Sequence, residues 1–161
     1  MRGIYTVSFL EQTIAAASGD YDLFDVAPAA NKPIEIVALS LGNKSEIGDA
    51  QDEMLSYTIT RGYATASNGG ATTPRPTDAS DGAASFTALA VGATIAAAGA
   101  GTIMNMMADT FNVRAGLMLV LPPEMRPKCS AITAETRMTV RLTTAVADDL
   151  TLSGTLWVRE L

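Results

Sequence analysis

The stretch IEIVALSLGNKSEIGDAQDEMLSYTITRG, residues 34–62, decides the fold class of this chain. Its first part, IEIVALSLG, is a run of apolar and β-branched residues, which is typical of a strand covered on both faces. Its last part alternates between apolar and hydroxyl-bearing residues, as a half-buried strand does. The apolar positions are Leu55, Tyr57 and Ile59, and the hydroxyl positions are Ser56, Thr58 and Thr60. The acidic segment between the two parts lacks an apolar period, so we expect a loop there.

Strand patterns recur along the rest of the chain, with turn residues between them. They cover residues 3–10, 21–27, 84–97, 111–121, 137–144 and 150–161. About eight or nine short strands predict an all-β chain, a single antiparallel β-sandwich domain of jelly-roll-like type over residues 1–161. The glycine- and proline-rich segment ATASNGGATTPRPTDASDGA, residues 64–83, is predicted to be one long surface loop.

Charge and hydropathy exclude several classes of partner. The chain has 161 residues, a net charge of −6 and a sequence pI near 4.5. Eleven basic residues scattered among 17 acidic ones do not form the cationic surface that nucleic acid or an anionic membrane requires. No segment approaches the ~20 apolar residues of a membrane-spanning helix. The alternation of Tyr5, Val7 and Phe9 with Thr6 and Ser8 indicates a strand at the N-terminus, so we expect no signal peptide.

The residue types that perform most catalysis are scarce. The chain has no histidine, which removes the commonest general base and metal ligand and every Ser–His or Cys–His arrangement. Cys129 is the only cysteine, and we interpret it as a small buried hydrophobe. Trp157, the only tryptophan, is interpreted as a core anchor. We expect a protein that is not an enzyme and that has no cofactor.

The acidic loop offers candidates for calcium binding or hydrolysis. Asp49, Asp52 and Glu53 could supply oxygen ligands for calcium, although their spacing does not match a calcium-loop motif. Asp49 and Asp52 could also act as paired carboxylates of a hydrolase. A solvated charged loop is the favoured interpretation. Farther along the chain, Met104, Met106 and Met107 form a sulfur cluster whose thioethers could bind Cu(I), but packing in a core or an interface is the favoured interpretation.

Several segments together suggest a family. They are DLFDVAPAANKPIEIVALSLGNKSEIGDAQDEMLSYTITRG, the TPRP segment, FNVRAG with PPEMRP, and the closing LTLSGTLWVREL. This overall pattern resembles the jelly-roll capsid decoration (cement) proteins of tailed bacteriophages. The resemblance implies a homotrimer on the outer surface of the virion, made in the host cytoplasm, that stabilises the capsid by bridging major capsid protein subunits. It implies no catalytic residues.

The residues that contact the capsid or another copy are our own inference from exposure and position. We expect attachment through the N-terminal segment and the predicted loop, with Arg75 meeting acidic capsid groups. The expected interaction residues are Arg2, Ile4, Tyr5, Thr73, Arg75, Asp78, Met104 and Met106. The alternative is a glycan- or receptor-binding β-sandwich module of a phage tail or fibre. Aromatic residues make up only 6% of the chain, which gives few surfaces for stacking sugars.

Overall fold

The computed structural model describes residues 3–45, 52–99, 101–131 and 136–161. The strands are β1 Ile4–Ile14, β2 Tyr21–Ala27, β3 Ile34–Asn43, β4 Met54–Thr65, β5 Gly70–Thr72, β6 Arg75–Pro76, β7 Thr87–Gly92, β8 Ala97–Ala98, β9 Met104–Asn112, β10 Leu117–Val120, β11 Lys128–Cys129, β12 Arg137–Leu142 and β13 Leu150–Glu160. A short 3-10 helix spans Pro123–Met125. In the described ranges, nine strands have four residues or more, as the sequence predicted.

Two antiparallel sheets pack face to face and form a β-sandwich. The first sheet has the order β10-β3-β13-β1-β6, and β11 also pairs with β3. The second has the order β5-β7-β2-β12-β4-β8, and β9 also pairs with β4. Strands β1 to β4 alternate between the sheets, as do β10, β12 and β13, and the first strand lies beside the last. This is the jelly-roll arrangement, so the predicted fold class is confirmed.

Alternation along the strands builds the core. In β13, Leu150, Leu152, Leu156 and Val158 point inward and are fully buried. The intervening residues point outward and are half-buried. Burial of apolar surface contributes about 25 cal/mol per Å², so the matched inner faces of the two sheets supply most of the driving force for folding.

The prediction of one unbroken surface loop over residues 64–83 is wrong. The end of β4 lies in this segment, and β5 and β6 follow it. β5 extends the second sheet beside β7, whereas β6 extends the first sheet beside β1. Short strands in a glycine- and proline-rich segment lack apolar alternation, so only their long-range partners define them.

Two buried carboxylates of β2 hold the segments before and after β7 against the second sheet. Asp25 Oδ2 accepts a hydrogen bond from the Ser67 backbone N–H at 2.8 Å. Asp22 Oδ2 accepts one from the Ala96 N–H at 2.6 Å. Each carboxylate also pairs with an arginine of β12, Asp25 with Arg137 at 2.8 Å and Asp22 with Arg141 at 2.6 Å. The ion pairs satisfy charges that would otherwise be costly to bury.

Candidate functional site

We call the outward-facing surface of β10, β3, β13 and β1 the outer face. Strand register aligns its side chains in rows. One row consists of Val120, Ala38, Trp157 and Thr6, and the next of Met118, Ser40, Thr155 and Ser8. Val120 and Met118 are 65% and 63% exposed. The outer face therefore combines an apolar edge, one aromatic ring and several neighbouring hydroxyl groups.

Trp157 belongs to this outer face, so its interpretation as a core anchor is wrong. The residue is half-buried, whereas its neighbours Leu156 and Val158 are fully buried. The strict alternation of β13 fixes this placement, since the inward positions are the even-numbered ones. The alternation of inward and outward positions in LTLSGTLWVREL predicts this placement, whereas the size of the side chain does not.

A buried glutamate on the outer face forms ion pairs with three cationic side chains. Glu35 Oε1 lies 2.9 Å from Arg126 Nη1 and 3.2 Å from Arg159 Nη1, and Lys128 Nζ lies 3.8 Å from Oε2. The Glu35 side chain is only 5% exposed, and that of Arg126 is 11% exposed. Removing one partner of a buried pair typically costs about 3–5 kcal/mol. The cluster therefore fixes the loop before β11 against β3 and leaves a net positive charge on the surface.

Sequence reasoning did not identify this cluster. The signal was present, because Glu35 interrupts the apolar run between Ile34 and Ile36. A carboxylate in a strand covered on both faces needs a cationic partner. The partners come from residues 126–128 and 159, which no local pattern connects to Glu35.

Pairing of β1 with β6 brings together some of the predicted interaction residues. Tyr5 lies opposite Pro76, and Thr6 lies opposite Arg75. The Thr77 N–H donates to the Ile4 carbonyl at 2.8 Å, which continues the contact. Ile4, Arg75 and Asp78 therefore lie at one corner of the first sheet, although some 70 residues separate them in sequence.

At this corner, the Tyr5 side chain points into the core and not toward solvent. It is 4% exposed, its ring packs edge-on against Phe86 at 5.8 Å, and its hydroxyl donates to the Gly82 carbonyl at 3.2 Å. Burial raises the pKa of this hydroxyl above its ordinary value, with Glu160 and Asp81 contributing to the shift. The prediction that the Tyr5 side chain contacts a partner is therefore wrong, because the core already encloses it.

A depression of about 670 Å³ lies at the corner. Its lining residues are Gly3, Ile4, Asp78, Asp81, Arg159, Glu160 and Leu161. Hydrogen bonds from the Ser80 backbone N–H and hydroxyl lower the pKa of Asp78, which keeps this exposed carboxylate ionised. Arg159 reaches from the Glu35 cluster to the depression. The corner therefore presents both charges within one concave surface.

The remaining predicted interaction residues lie elsewhere or outside the described ranges. Thr73 is exposed just before β6. Met104 and Met106 lie on β9 at an edge of the second sheet, 45% and 41% exposed. They are not core residues of this chain. Arg2 lies outside the described residues.

The acidic loop shows no assembled metal site in its described part. Asp49 lies outside the described residues. Asp52 pairs with Arg114 at 3.0 Å, and Glu53 Oε1 accepts the Ala147 N–H at 2.8 Å. Across the described ranges, no group of three or more acidic or cysteine side chains could hold a metal ion.

Comparisons with protein-family models, curated proteins and solved structures found no match for this chain. Among the described residues, no helix is long and apolar enough to cross a membrane. The fold therefore places the chain among jelly-roll β-sandwiches, and its function has to be argued from its surfaces.

Proposed function

We propose that this chain is a structural virion protein, not an enzyme, that decorates and stabilises the outer surface of a tailed-phage capsid by bridging major capsid subunits. The observation that carries the proposal is the corner where β1 pairs with β6. Two segments expected from sequence to attach the protein, around Ile4 and around Arg75, form one continuous surface there. An exposed Arg75 between two prolines is held stiffly, which suits contact with an acidic capsid group.

The outer face is better suited to broad contact with another protein than to catalysis. Buried carboxylates of the described sandwich are engaged by arginines or backbone N–H groups, and hydroxyl and apolar side chains dominate the outer face. Interfaces between proteins combine apolar contacts with hydrogen bonds from polar side chains. Self-association on the capsid, as a trimer, belongs to the same proposal.

Cosedimentation with undecorated capsids of the phage that encodes the chain tests the proposal. We expect the wild-type protein to pellet in a saturable ratio. Arg75→Glu should weaken binding at least tenfold, because the reversed charge opposes an acidic group. Lys44→Glu is the matched control, since it reverses the same charge on an exposed residue just after β3, at the end of the first sheet far from β6, and it should bind like the wild type. Wild-type protein that stays in the supernatant would contradict the proposal.

A glycan- or receptor-binding module is the second candidate, and one observation favours it. A depression of about 560 Å³ on the outer face is lined by four hydroxyl side chains together with Phe9 and Leu10. The half-buried Trp157 lies in the neighbouring row and could stack on a sugar. Specific hits on a glycan array that disappear in Trp157→Ala would favour this function over capsid binding.

A further inference from the structure

Exposed apolar side chains are concentrated on one side of the sandwich. Six of the nine large ones in the described part of the chain lie between residues 103 and 125. They are Ile103, Met104, Met106, Met118, Val120 and Met125. Among the described strands, β9 and β10 are edge strands of the two sheets on this side. Arg61 Nη1 connects the two sheets here by donating to the Lys128 carbonyl at 2.9 Å. Concentrated exposed apolar surface marks an interaction site.

The outer edge of β9 offers backbone hydrogen-bonding groups. The Thr143 N–H donates to the Ser56 carbonyl at 2.9 Å, so alternate residues from Ser56 bond toward β12. The intervening residues, Tyr57 and Ile59, therefore bond toward β9, where they pair with Asp109 and Met107. The backbone groups of Ala108 and Thr110 consequently point away from β4. The Val113 N–H donating to the Glu53 carbonyl at 3.0 Å fits the same alternation.

We propose that β9 pairs antiparallel with β9 of a second copy of this chain, about a two-fold axis at Ala108. Each Ala108 would exchange its N–H and C=O with the other, and the second sheets would join across the two molecules. The small side chain of Ala108 allows close approach. β9 contains no lysine, arginine or proline, the residues that commonly block an edge strand. A register shift near Met106 limits the paired segment to about residues 106–110.

Charge favours a second copy as the occupant of this edge. Copies with a net charge of −6 repel each other in general, but Asp109 is the only charged residue of β9. Pairing centred on Ala108 places each Asp109 opposite Met107 of the other copy, so the two carboxylates do not oppose each other. Met106 lies opposite Thr110 in the same register. The edge gives no charge pattern that would select an acidic or a basic strand from another protein.

Asp109 also limits the strength of this pairing. Its Oδ1 accepts the Thr110 N–H at 2.8 Å, which occupies one outward-pointing donor of the edge. Pairing of two copies has to open this hydrogen bond and bring two charges closer together. Asp109→Ala should therefore tighten the association. Removal of a side chain with a purely structural role would not increase the affinity between copies.

The test is the mass of the purified 16.7 kDa chain in solution over a range of concentrations, by sedimentation velocity and light scattering. We expect a concentration-dependent dimer. Ala108→Pro should weaken it at least tenfold, because proline removes a donor that faces away from β4 and leaves the β4–β9 ladder intact. Met106→Lys should act in the same direction. Leu10→Lys on β1 is the matched control, since this exposed apolar side chain lies outside the group, and it should leave the dimer constant unchanged.

A cross-linking variant tests the two-fold axis itself. In the proposed register, Ala108→Cys brings two thiols together at a Cα separation of about 5.5 Å, within disulfide range. Mild oxidation should yield a covalent dimer, and the buried Cys129 should not compete. A monomer at all concentrations, a trimer, or a dimer that Ala108→Pro and Asp109→Ala both leave unchanged would overturn the proposal. The inference concerns the free chain in solution, so it depends neither on capsid binding nor on the trimer proposed for the capsid-bound state.

Discussion

At the scale of single residues, the buried carboxylates act as structural groups that connect distant segments of the sandwich. Asp22, Asp25 and Glu35 are at least 95% buried, and each is engaged by arginine. Their oxygens hold backbone segments and neighbouring strands in place. The surface carboxylate Asp78, in contrast, is available to a partner.

Cys129 gives a pH-dependent test at this scale. Burial raises the pKa of its thiol from 9.0 to about 11, although Arg61 and Arg137 oppose the shift. A thiol that ionises more readily in the unfolded chain stabilises the fold fully below pH 9 and progressively less as the pH rises toward 11. We expect the wild type to lose about 1 kcal/mol relative to Cys129→Ala between pH 8 and pH 10. Urea unfolding of both proteins measures this difference, and parallel pH profiles would contradict the prediction.

At the scale of elements, β4 depends on a glycine where its edge partner changes from β9 to β8. Gly62 has a φ of 107°, and a Cβ there would lie 2.2 Å from the Thr102 carbonyl oxygen. We expect Gly62→Ala to lower the free energy of unfolding by about 2 kcal/mol or more. Gly42→Ala is the control, since no atom lies within 4 Å of its Cβ position. It should change stability by less than about 0.5 kcal/mol in urea unfolding. Equal effects at both glycines would refute the argument.

At the scale of the whole molecule, the two sheets are interlocked. Successive strands β1 to β4 alternate between the sheets, and β13 closes the first sheet between β1 and β3. Neither sheet can bury its inner face alone, so we expect a single cooperative unfolding transition. Urea curves from Trp157 fluorescence, which reports on the first sheet, and from far-ultraviolet circular dichroism, which reports on both, should coincide. Gly62→Ala should move both curves together, and separate midpoints would show that the sheets unfold independently.

The candidate site was only partly predictable from sequence. Ile4, Arg75 and Asp78 were expected at an interaction surface, and the fold places them at one corner. The Glu35 cluster, the outward position of Trp157 and the burial of Tyr5 were not predicted. The Glu35 cluster and the enclosure of Tyr5 depend on neighbours that are distant in the chain, whereas the outward position of Trp157 follows from the alternation of β13.

The sequence by itself determined the all-β class and most long strands, because alternation between apolar and polar residues is a local property of an extended chain. The run over residues 34–62 and the closing strand β13 are the clearest examples. Only the tertiary structure decided how residues 64–83 divide between two sheets and which side of the sandwich is left with an open edge at β9. Those outcomes depend on backbone hydrogen bonds between distant segments, which leave no period in the sequence.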